Sequence, residues 1–308
     1  LILGIFLYNM EAWIIFTVAA AFLQNLRNGM QKSLNSILST TGAAYTRFAF
    51  GLPLAFVYWT ILYYLLDDRL KWDWTFWVYA SVGGVAQVLA MVSLLRSFSL
   101  RGFAVGTAYA KTETLLTALF TVILLSEEVS GQVLIAIIIS LAGVFLLSSA
   151  KSGTRLRDIL LSWTEPAAFY GLASACLLGL SAVSYRGAAL SMDGKGILLP
   201  AASTLLVALV IQTTLMSIYL VFCEKGELAK VWQSRKKASL VGLASMLGSV
   251  GWFTAMTLQN AAYVRALGQV ELIFTFLTSV LIFRERIAKA EIGGTFLIVS
   301  GVLILLVE

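Results

Sequence analysis

The stretch AVGTAYAKTETLLTALFTVILLSEEVSGQVLIAIIISLAGVFLL, residues 104–147, returns as AYVRALGQVELIFTFLTSVLIFRERIAKAEIGGTFLIVSGVLIL, residues 262–305, after 158 positions and without a gap. Shared leucines and valines mean little here, because two apolar stretches share them by chance. The polar and glycine identities in register mean more, and they are Glu113/Glu271, Glu127/Glu285 and Gly143/Gly301. Each copy predicts an apolar helix with a central acid, a tight turn and a second apolar helix. This internal repeat decides the architecture.

The composition places the chain in a membrane. Of its 308 residues 59% are hydrophobic and 12% are charged, with a mean hydropathy of +0.89, whereas a soluble domain carries about 25% charged residues. There is no histidine, which excludes histidine-based catalysis and histidine metal sites, and Cys176 and Cys223 lie in apolar runs without a metal-ligand spacing. We therefore expect no metal and no cofactor. In a membrane chain the net charge of +6 indicates orientation rather than nucleic-acid binding.

Stretches long and apolar enough to cross a membrane, at roughly 20 residues each, occur ten times. They are residues 12–31, 42–66, 74–98, 102–125, 129–149, 167–190, 197–222, 238–258, 261–283 and 289–307. Short polar turns separate them, which predicts antiparallel neighbours. Pro53 lies inside the second stretch, so we expect it to kink that helix.

The first part of each half repeats more faintly. Asn25–Gly29 matches Ser184–Ala188 at a spacing of 159. Five helices in each half force the two halves to insert upside down, an arrangement typical of transporters. The predicted fold is thus an all-α integral membrane protein with ten transmembrane helices in two inverted five-helix repeats. The predicted divisions are 1–11 as an N-terminal extension that need not be native, 12–150 as the first half, 151–166 as a linker and 167–308 as the second half.

Orientation follows from the basic residues. Thirteen lie in loops after odd-numbered helices: Lys32, Arg101, Lys151, Arg155, Arg157, Lys225, Lys230, Arg235, Lys236, Lys237, Arg284, Arg286 and Lys289. Three lie in loops after even-numbered helices: Arg69, Lys71 and Lys195. Because basic loops stay in the cytoplasm, this predicts a cytoplasmic Glu224–Lys237 loop and both termini outside.

Four short motifs resemble those of a known family. Leu124–Val129 followed by Leu141–Val144 resembles the end of an EamA-type domain, and Phe283–Ile287 followed by Val299–Val302 resembles it again. Two such domains in tandem resemble the drug/metabolite transporter superfamily over nearly all of residues 12–307. The resemblance implies export of amino acids, metabolites or drugs, while more distant relatives exchange nucleotide sugars or sugar phosphates. It also implies cytoplasmic termini, opposite to the orientation that the basic loops predict.

Charged residues at membrane depth cost about 2.5–3.5 kcal/mol each and need a partner or a task. The embedded set is Arg27, Arg47, Arg96, Lys111, Glu113, Arg186, Arg265 and Glu271. Pseudo-symmetry suggests two equivalent pairs, Arg27 with Glu113 and Arg186 with Glu271. Two interpretations stay open: buried ion pairs that lock the bundle, and a direct role in binding substrate or a proton. Since an adjacent arginine would keep each glutamate ionised, we predict structural or gating pairs rather than proton carriers.

The other embedded charged residues have different expected roles. Lys111 and Glu113 are two residues apart and hence about 200° apart around a helix, so they cannot share one face. Lys111 either pairs across to another helix or lines the pathway. Arg47 and Arg265 lie within two turns of a helix end, so we expect them, like Arg96, to extend to the membrane interface rather than contact a ligand.

Neutral polar residues complete the candidate site. Because deep basic residues outnumber deep acids, the site favours a carboxylate or another anionic group. Glutamine and asparagine side chains add hydrogen bonds, and two tyrosines are candidate walls for which core packing is the alternative. The residues proposed for substrate binding or gating are Arg27, Glu113, Arg186, Glu271, Lys111, Gln24, Asn28, Gln87, Tyr109, Tyr185 and Gln269.

These features predict a secondary transporter, an exporter or exchanger, that moves a small organic solute such as an amino acid or metabolite by alternating access. The alternatives are a nucleotide-sugar or phosphate exchanger, an intramembrane enzyme and a passive channel. No nucleophile with a base and no phosphate or metal motif occurs, so we expect no enzyme. The expected partners are a small-molecule substrate and membrane lipid, without nucleic acid, in a monomer or homodimer. The expected location is the bacterial inner membrane.

Overall fold

The computed structural model describes residues 12–66, 70–100, 103–193, 196–281 and 288–307. Within these ranges the regular structure is helical, and the β-structure consists of an isolated bridge between Lys71 and Asp193. The predicted N-terminal extension, residues 1–11, lies outside the described residues. So does the Phe283–Ile287 motif with Glu285, the repeat partner of Glu127.

Fifteen α-helices follow one another along the described chain. They are α1 (Ala12–Leu34), α2 (Thr40–Ala49), α3 (Gly51–Leu66), α4 (Trp74–Ser99), α5 (Phe103–Ala110), α6 (Glu113–Leu125), α7 (Gly131–Ser152), α8 (Leu156–Leu161), α9 (Pro166–Leu190), α10 (Leu198–Cys223), α11 (Glu227–Gln233), α12 (Arg235–Leu258), α13 (Ala261–Leu267), α14 (Val270–Leu281) and α15 (Lys289–Leu306). A short 3₁₀ turn, Ser162–Thr164, leads from α8 to α9.

Eight helical segments of the described chain are long and apolar enough to cross a membrane. They are Thr40–Leu66, Trp74–Ser99, Val105–Leu125, Gly131–Ala150, Pro166–Leu190, Leu198–Cys223, Arg235–Leu258 and Lys289–Leu306. The chain is therefore a multi-pass helical membrane protein. Two of the ten predicted spans are not among the eight. Polar residues from Gln24 to Asn28 lower the hydropathy of α1. The stretch predicted at 261–283 is divided into α13 and α14, and its last two residues lie outside the described residues.

The second span is interrupted where the sequence predicts it. Helix α2 ends at Ala49 and α3 begins at Gly51. Pro53 has no N–H to donate to the carbonyl four residues earlier, and its ring crowds that carbonyl. The interruption lies on the N-terminal side of Pro53, at the residues that the missing bond would have joined. The interruption thus lies next to the proline at which the kink was predicted.

The fourth and ninth predicted spans, residues 102–125 and 261–283, are also interrupted, which the sequence analysis did not predict. Helix α5 ends at Ala110 and α6 begins at Glu113, while α13 ends at Leu267 and α14 begins at Val270. Under the 158-residue offset the two breaks coincide within one position. Each break is a turn of the tighter type, with Thr112 N–H donating to the Tyr109 carbonyl at 3.1 Å and Gln269 N–H to the Ala266 carbonyl at 3.2 Å. Glu113 and Glu271 therefore lie at the start of a helix and not in the middle of one.

The chain forms two compact units. The first unit comprises Leu1–Val88 and Ser184–Asn260, and the second comprises Leu89–Val183 and Ala261–Glu308. Each unit contains residues of both predicted sequence halves, and the long helices α4 and α9 contribute to both units. The halves describe the repeat in the sequence, whereas the units describe how the chain packs, and the two divisions differ.

In the first unit, α12 packs along α1 and against α2, α3 and α10. Glycines allow this close approach. A Cβ added at Gly251 would lie 2.9 Å from the Phe16 carbonyl oxygen, and one at Gly242 would lie 2.5 Å from Phe50 Cβ. Small residues bring helix backbones together in membrane proteins because lipid supplies no hydrophobic drive for association.

In the second unit, α7 packs along α15 through a contact that occurs twice. A Cβ at Gly143 would lie 2.6 Å from the Gly294 carbonyl oxygen, and one at Gly301 would lie 2.7 Å from the Ala136 carbonyl oxygen. The offset of 158 relates Gly143 to Gly301 and Ala136 to Gly294. The contact is therefore reciprocal, as in an isologous interface between two copies.

Candidate functional site

Four charged side chains meet in the second unit, and we call them the charge cluster: Lys111, Glu113, Arg265 and Glu271. Lys111 Nζ lies 3.6 Å from Glu271 Oε2, and Arg265 Nη1 lies 3.7 Å from Glu113 Oε1. The exposed fractions of these side chains are between 11% and 23%. Each glutamate is thus paired with a cation from the other copy of the repeat, and the cluster as a whole is neutral.

The helix breaks position these charges. Lys111 lies in the first break and Glu113 begins α6, while Glu271 lies at the start of α14. Helix α13 packs against α6, which brings Arg265 to Glu113. The cations do not follow the repeat, because the position equivalent to Lys111 is Gln269. Gln269 is buried, and its Oε1 has no hydrogen-bond partner in the described part of the chain.

This arrangement tests several predictions about charge. Of the two alternatives left open for Lys111, the structure shows pairing across to another helix. The expectation that Arg265 extends to the interface is wrong, because its guanidinium lies against Glu113. The predicted pairs of Arg27 with Glu113 and Arg186 with Glu271 would each link residues of different units, and they stay predictions.

Three neutral side chains form a closed network in the first unit, and we call them the amide network: Gln87, Tyr185 and Gln212. The Tyr185 hydroxyl donates to Gln87 Oε1 at 2.9 Å. Gln212 Nε2 donates to the same oxygen at 2.6 Å and to the Tyr185 hydroxyl at 2.7 Å. Three helices, α4, α9 and α10, each contribute one of these side chains, two of which the sequence analysis proposed.

Two adjacent glycines on α4 make the network possible. A Cβ at Gly83 would lie 2.7 Å from Tyr185 Cε1, and one at Gly84 would lie 2.9 Å from Ile211 Cγ2. Their absence of side chains lets α4 approach α9 and α10, and Gln87 follows Gly83 by one helical turn. The Tyr185 ring also packs 4.7 Å from the Phe253 ring, between centroids. The network is therefore held by packing on two sides.

Arg186, the residue after Tyr185, contacts backbone. Its Nη1 donates to the carbonyls of Met256 and Gln259, both at 2.6 Å. These carbonyls belong to the C-terminal end of α12, where the last carbonyls lack helical partners and the helix dipole favours a cation. Arg186 thus stabilises a helix end, and its proposed role towards substrate stays a prediction.

Arg27 and Arg47 also lie in the first unit. Arg27 Nη2 donates to Asn28 Oδ1 at 2.7 Å, and the Arg47 guanidinium lies 4.3 Å above the Phe48 ring. Arg47 lies within electrostatic range of both Arg27 and Tyr185. Its Nε is buried, so the expectation that Arg47 extends to the interface is not supported.

Gln24 and Tyr109, two other proposed residues, contact the protein itself. Gln24 Oε1 accepts a hydrogen bond from Trp252 Nε1 at 3.1 Å. The Tyr109 hydroxyl donates to the Ile159 carbonyl at 3.3 Å, and its ring lies edge-on to Phe145. Core packing, the alternative that the sequence left open for the tyrosines, therefore describes Tyr109.

Sequence reasoning missed Gln212 and dismissed Arg47 and Arg265. A signal for Gln212 was present, since it is the only amide side chain in the 26 residues of α10. The partner of Arg265 could not be found in this way, because the equivalent position in the first copy is Thr107. In the described part of the chain no group of three His, Cys, Asp or Glu residues could hold a metal ion.

Charged residues at paired breaks in membrane helices are a feature of transport proteins. Residues 166–307, a little under half of the chain, match the model of the EamA-like transporter family. This region therefore carries an EamA-like domain, which is consistent with the drug/metabolite transporter superfamily. The match indicates a membrane transporter.

A solved structure supports the fold over the whole chain. It is titled "Crystal structure of protein", is 16% identical in sequence, and aligns with a TM-score of 0.70. The alignment covers 96% of this chain and 98% of the other. At this identity the likeness concerns the fold alone.

Proposed function

We propose that this protein is a secondary transporter, an exporter or exchanger, of a small organic solute that carries a carboxylate, such as an amino acid or another metabolite. Transport proceeds by alternating access between two inverted halves. The family of residues 166–307 supports transport as such. The charges of the two units support the class of solute.

The observation that supports the proposal is an excess of arginine over acidic residues in the helices of the first unit. Helices α1, α2 and α9 contribute Arg27, Arg47 and Arg186, whereas the described membrane spans of this unit contain no aspartate or glutamate. Arg27 and Arg47 lie close enough for their charges to repel. Like charges at membrane depth are unfavourable, and a bound carboxylate relieves this repulsion. In the second unit the charge cluster is neutral, so it offers an anion less.

The proposal includes a tandem of EamA-type domains, the first in residues 12–150, and ten spans in two inverted repeats. The reciprocal contact of Gly143 and Gly301 supports two equivalent copies. The chain resides in the bacterial inner membrane as a monomer or homodimer surrounded by lipid, with no nucleic-acid partner. The loop Glu224–Lys237 faces the cytoplasm. Ready reaction of a single cysteine in this loop with an impermeant reagent added outside intact cells would reverse the orientation.

The charge cluster acts as a structural or gating element in this scheme. Glu113 and Glu271 each lie within 4.0 Å of a cation from the other copy of the repeat. Both carboxylates are thus engaged in ion pairs. Transport is therefore expected to proceed without protonation of either glutamate.

The proposal is tested by ligand-induced thermal stabilisation of purified protein across amino acids, organic acids, nucleotides, sugar phosphates and cationic drugs. We expect carboxylate-bearing solutes to raise the melting temperature and to exchange across proteoliposome membranes. Arg27→Gln and Arg47→Gln should each weaken this effect about tenfold, since a charged hydrogen bond contributes about 1.5–3 kcal/mol. Arg96→Gln is the matched control, because Arg96 is exposed near the end of α4.

Other results with the same set of ligands would favour other functions. Stabilisation by cationic drugs alone would contradict an anionic solute. Stabilisation by sugar phosphates or nucleotides, without response to simple carboxylates, would favour the phosphate-type exchanger instead. Product formation in detergent without a gradient would indicate an enzyme.

A further inference from the structure

We propose that the amide network, Gln87, Tyr185 and Gln212, is a binding site for a neutral amide group of the transported solute. The inference rests on the proposed function and deepens it, because it assigns a second functional group to a carboxylate-bearing solute. The group is one that both donates and accepts hydrogen bonds, such as a carboxamide.

The argument starts from the hydrogen-bonding capacity of the three side chains. A glutamine amide has two N–H donors on Nε2 and two lone pairs on Oε1. Gln87 Oε1 accepts from both Tyr185 and Gln212, and Gln212 Nε2 donates to both Gln87 and Tyr185. The contacts within the network therefore occupy the oxygen of one amide and the nitrogen of the other.

The opposite ends of the two amides are unused. Neither Gln87 Nε2 nor Gln212 Oε1 makes a hydrogen bond within the described part of the chain. Neither atom is among the described buried polar atoms that lack a partner, so each keeps some accessible surface, although Gln212 as a whole is buried. The network thus presents one donor and one acceptor, each held in place by the bonds at the far end of its amide.

Together, Gln87 Nε2 and Gln212 Oε1 determine which chemical group can bind to the network. A carboxamide accepts from Gln87 Nε2 and donates to Gln212 Oε1, whereas a carboxylate only accepts and an ammonium only donates. A hydrocarbon group satisfies neither atom, which penalises its binding because the displaced water is not replaced. A neutral group with both capacities therefore fits best.

The arginines near the amide network are consistent with a solute that carries two functional groups. Arg47 lies within electrostatic range of Tyr185, a member of the network, and of Arg27. A carboxylate near the arginines and an amide at the glutamines would occupy the same unit. The two groups would then be joined by a short chain.

The test uses three carboxylates of similar length that differ at the far end: succinamate, succinate and pentanoate. Their affinities for purified protein are measured by calorimetry or by thermal stabilisation. We expect succinamate to bind at least about tenfold more tightly than pentanoate, because its carboxamide can make two hydrogen bonds that pentanoate cannot make. Succinate is expected to bind less tightly than succinamate, since its second carboxylate meets Gln212 Oε1.

The variants are Gln87→Met and Gln212→Met, which keep the length of the side chain and remove its hydrogen bonds. Each should abolish the preference for succinamate over pentanoate. Gln132→Met is the matched control, because Gln132 only joins helices by donating to the Ile304 carbonyl at 2.8 Å. Tyr185→Phe keeps the ring, removes one of the two bonds that hold each amide and should reduce the preference even if a methionine variant fails to fold.

The results separate this inference from the proposed function. If pentanoate and succinamate bind equally, or if the preference survives in Gln87→Met, Gln212→Met and Tyr185→Phe, the network only joins helices and the inference is wrong, while the carboxylate site stands. The same holds if other carboxylates bind and succinamate does not. If no carboxylate binds the wild type at all, the proposed function and the inference fail together.

Discussion

The two units of this molecule place polar groups at membrane depth in different ways. In the second unit each of the four side chains of the charge cluster has an opposite partner within 4.0 Å. In the first unit the acids are absent from the described spans, and a neutral network lies near arginines of like charge. Paired charges hold a structure together, whereas an excess of arginine beside a neutral amide network suits the binding of a solute. In our proposal the second unit is therefore structural and the first unit recognises the solute.

The origin of the difference lies in the helices. The second unit has two breaks at equivalent positions, and the side chains around them approach one another across the repeat. The first unit joins its network across the intact helices α4, α9 and α10, which glycines bring close. A buried ion pair is expensive to break but adds little net stability over an apolar core. A neutral network costs less to open, which suits a surface that binds and releases a solute.

The largest effect is expected from breaking an ion pair in the second unit. Glu113→Gln leaves the Arg265 guanidinium with a neutral neighbour in a poorly exposed site. Removal of one partner of a buried pair costs about 3–5 kcal/mol, and we expect the lower end because the contact is 3.7 Å long. The measurement is the melting temperature of the purified variant, which should fall by several degrees.

Two further variants make this test specific. Glu113→Gln combined with Arg265→Gln should recover part of the loss, since no charge is then left alone. Glu128→Gln, at an exposed glutamate, should change the melting temperature little. A Glu113→Gln protein of normal stability that still exchanges solute but ignores a pH gradient would make Glu113 a proton site and overturn the comparison.

The next effect concerns the contact between α7 and α15 in the second unit. Gly143→Ala places a Cβ 2.6 Å from the Gly294 carbonyl oxygen, a backbone atom that cannot turn away. Overpacking of this kind costs about 1–3 kcal/mol. Because the contact is reciprocal, Gly301→Ala should cost a similar amount, whereas Gly131→Ala is the control with no atom within 4 Å of its Cβ. Unequal losses at Gly143 and Gly301 would show that the two copies are not equivalent.

The sequence was sufficient for the features that local chemistry determines. The 158-residue offset predicted the equivalence of Glu113 and Glu271, and it holds in the positions of the two breaks and in the glycine contacts of α7 and α15. Pro53 predicted the interruption of the second span, because the loss of one N–H is a local property. Hydropathy predicted eight helical spans that the structure contains.

The sequence could not predict which residues form ion pairs with each other. Symmetry suggested that each central glutamate pairs with an arginine at equivalent positions, yet Lys111 and Arg265 come from positions that the repeat does not relate. A pairing across packed helices depends on helix rotation, which periodicity does not give for a helix that is apolar all round. Gln212 was overlooked for a similar reason, since its significance lies in the proximity of Gln87 and Tyr185.

A smaller, pH-dependent effect is expected at the edge of the first unit. Glu227 is buried and accepts the Ser39 N–H at 2.5 Å, and Lys230 Nζ lies 3.0 Å from its carboxylate. Burial alone would raise the pKa of Glu227, but the hydrogen bonds from Ser39 and Lys230 outweigh it and hold the pKa below the ordinary 4.5. A lowered pKa stabilises the fold above the unfolded value, and this stability is lost as the pH falls through the folded pKa.

The measurement is the melting temperature of the wild type and of Glu227→Gln between pH 7 and the lowest pH at which the protein stays soluble. We expect the variant to be less stable by about 1 kcal/mol at pH 7, and the gap to close below the ordinary pKa of 4.5. Glu128→Gln serves again as the exposed control. A gap that widens with falling pH would show that the carboxylate does not support the start of α2 in its ionised form.

The smallest effect on stability, and the sharpest test of the comparison, comes from two tyrosine hydroxyls. In the second unit the Tyr109 hydroxyl contacts only backbone carbonyls, at 3.3 Å or more, so Tyr109→Phe should cost less than about 1 kcal/mol and leave solute exchange unchanged. In the first unit Tyr185→Phe should cost about as little in stability but reduce exchange of the preferred solute, because each amide of the network loses one of the two bonds that hold it. The two variants are compared by melting temperature and by counterflow in proteoliposomes under identical conditions. If Tyr109→Phe impairs exchange and Tyr185→Phe does not, recognition belongs to the second unit and the assignment must be reversed.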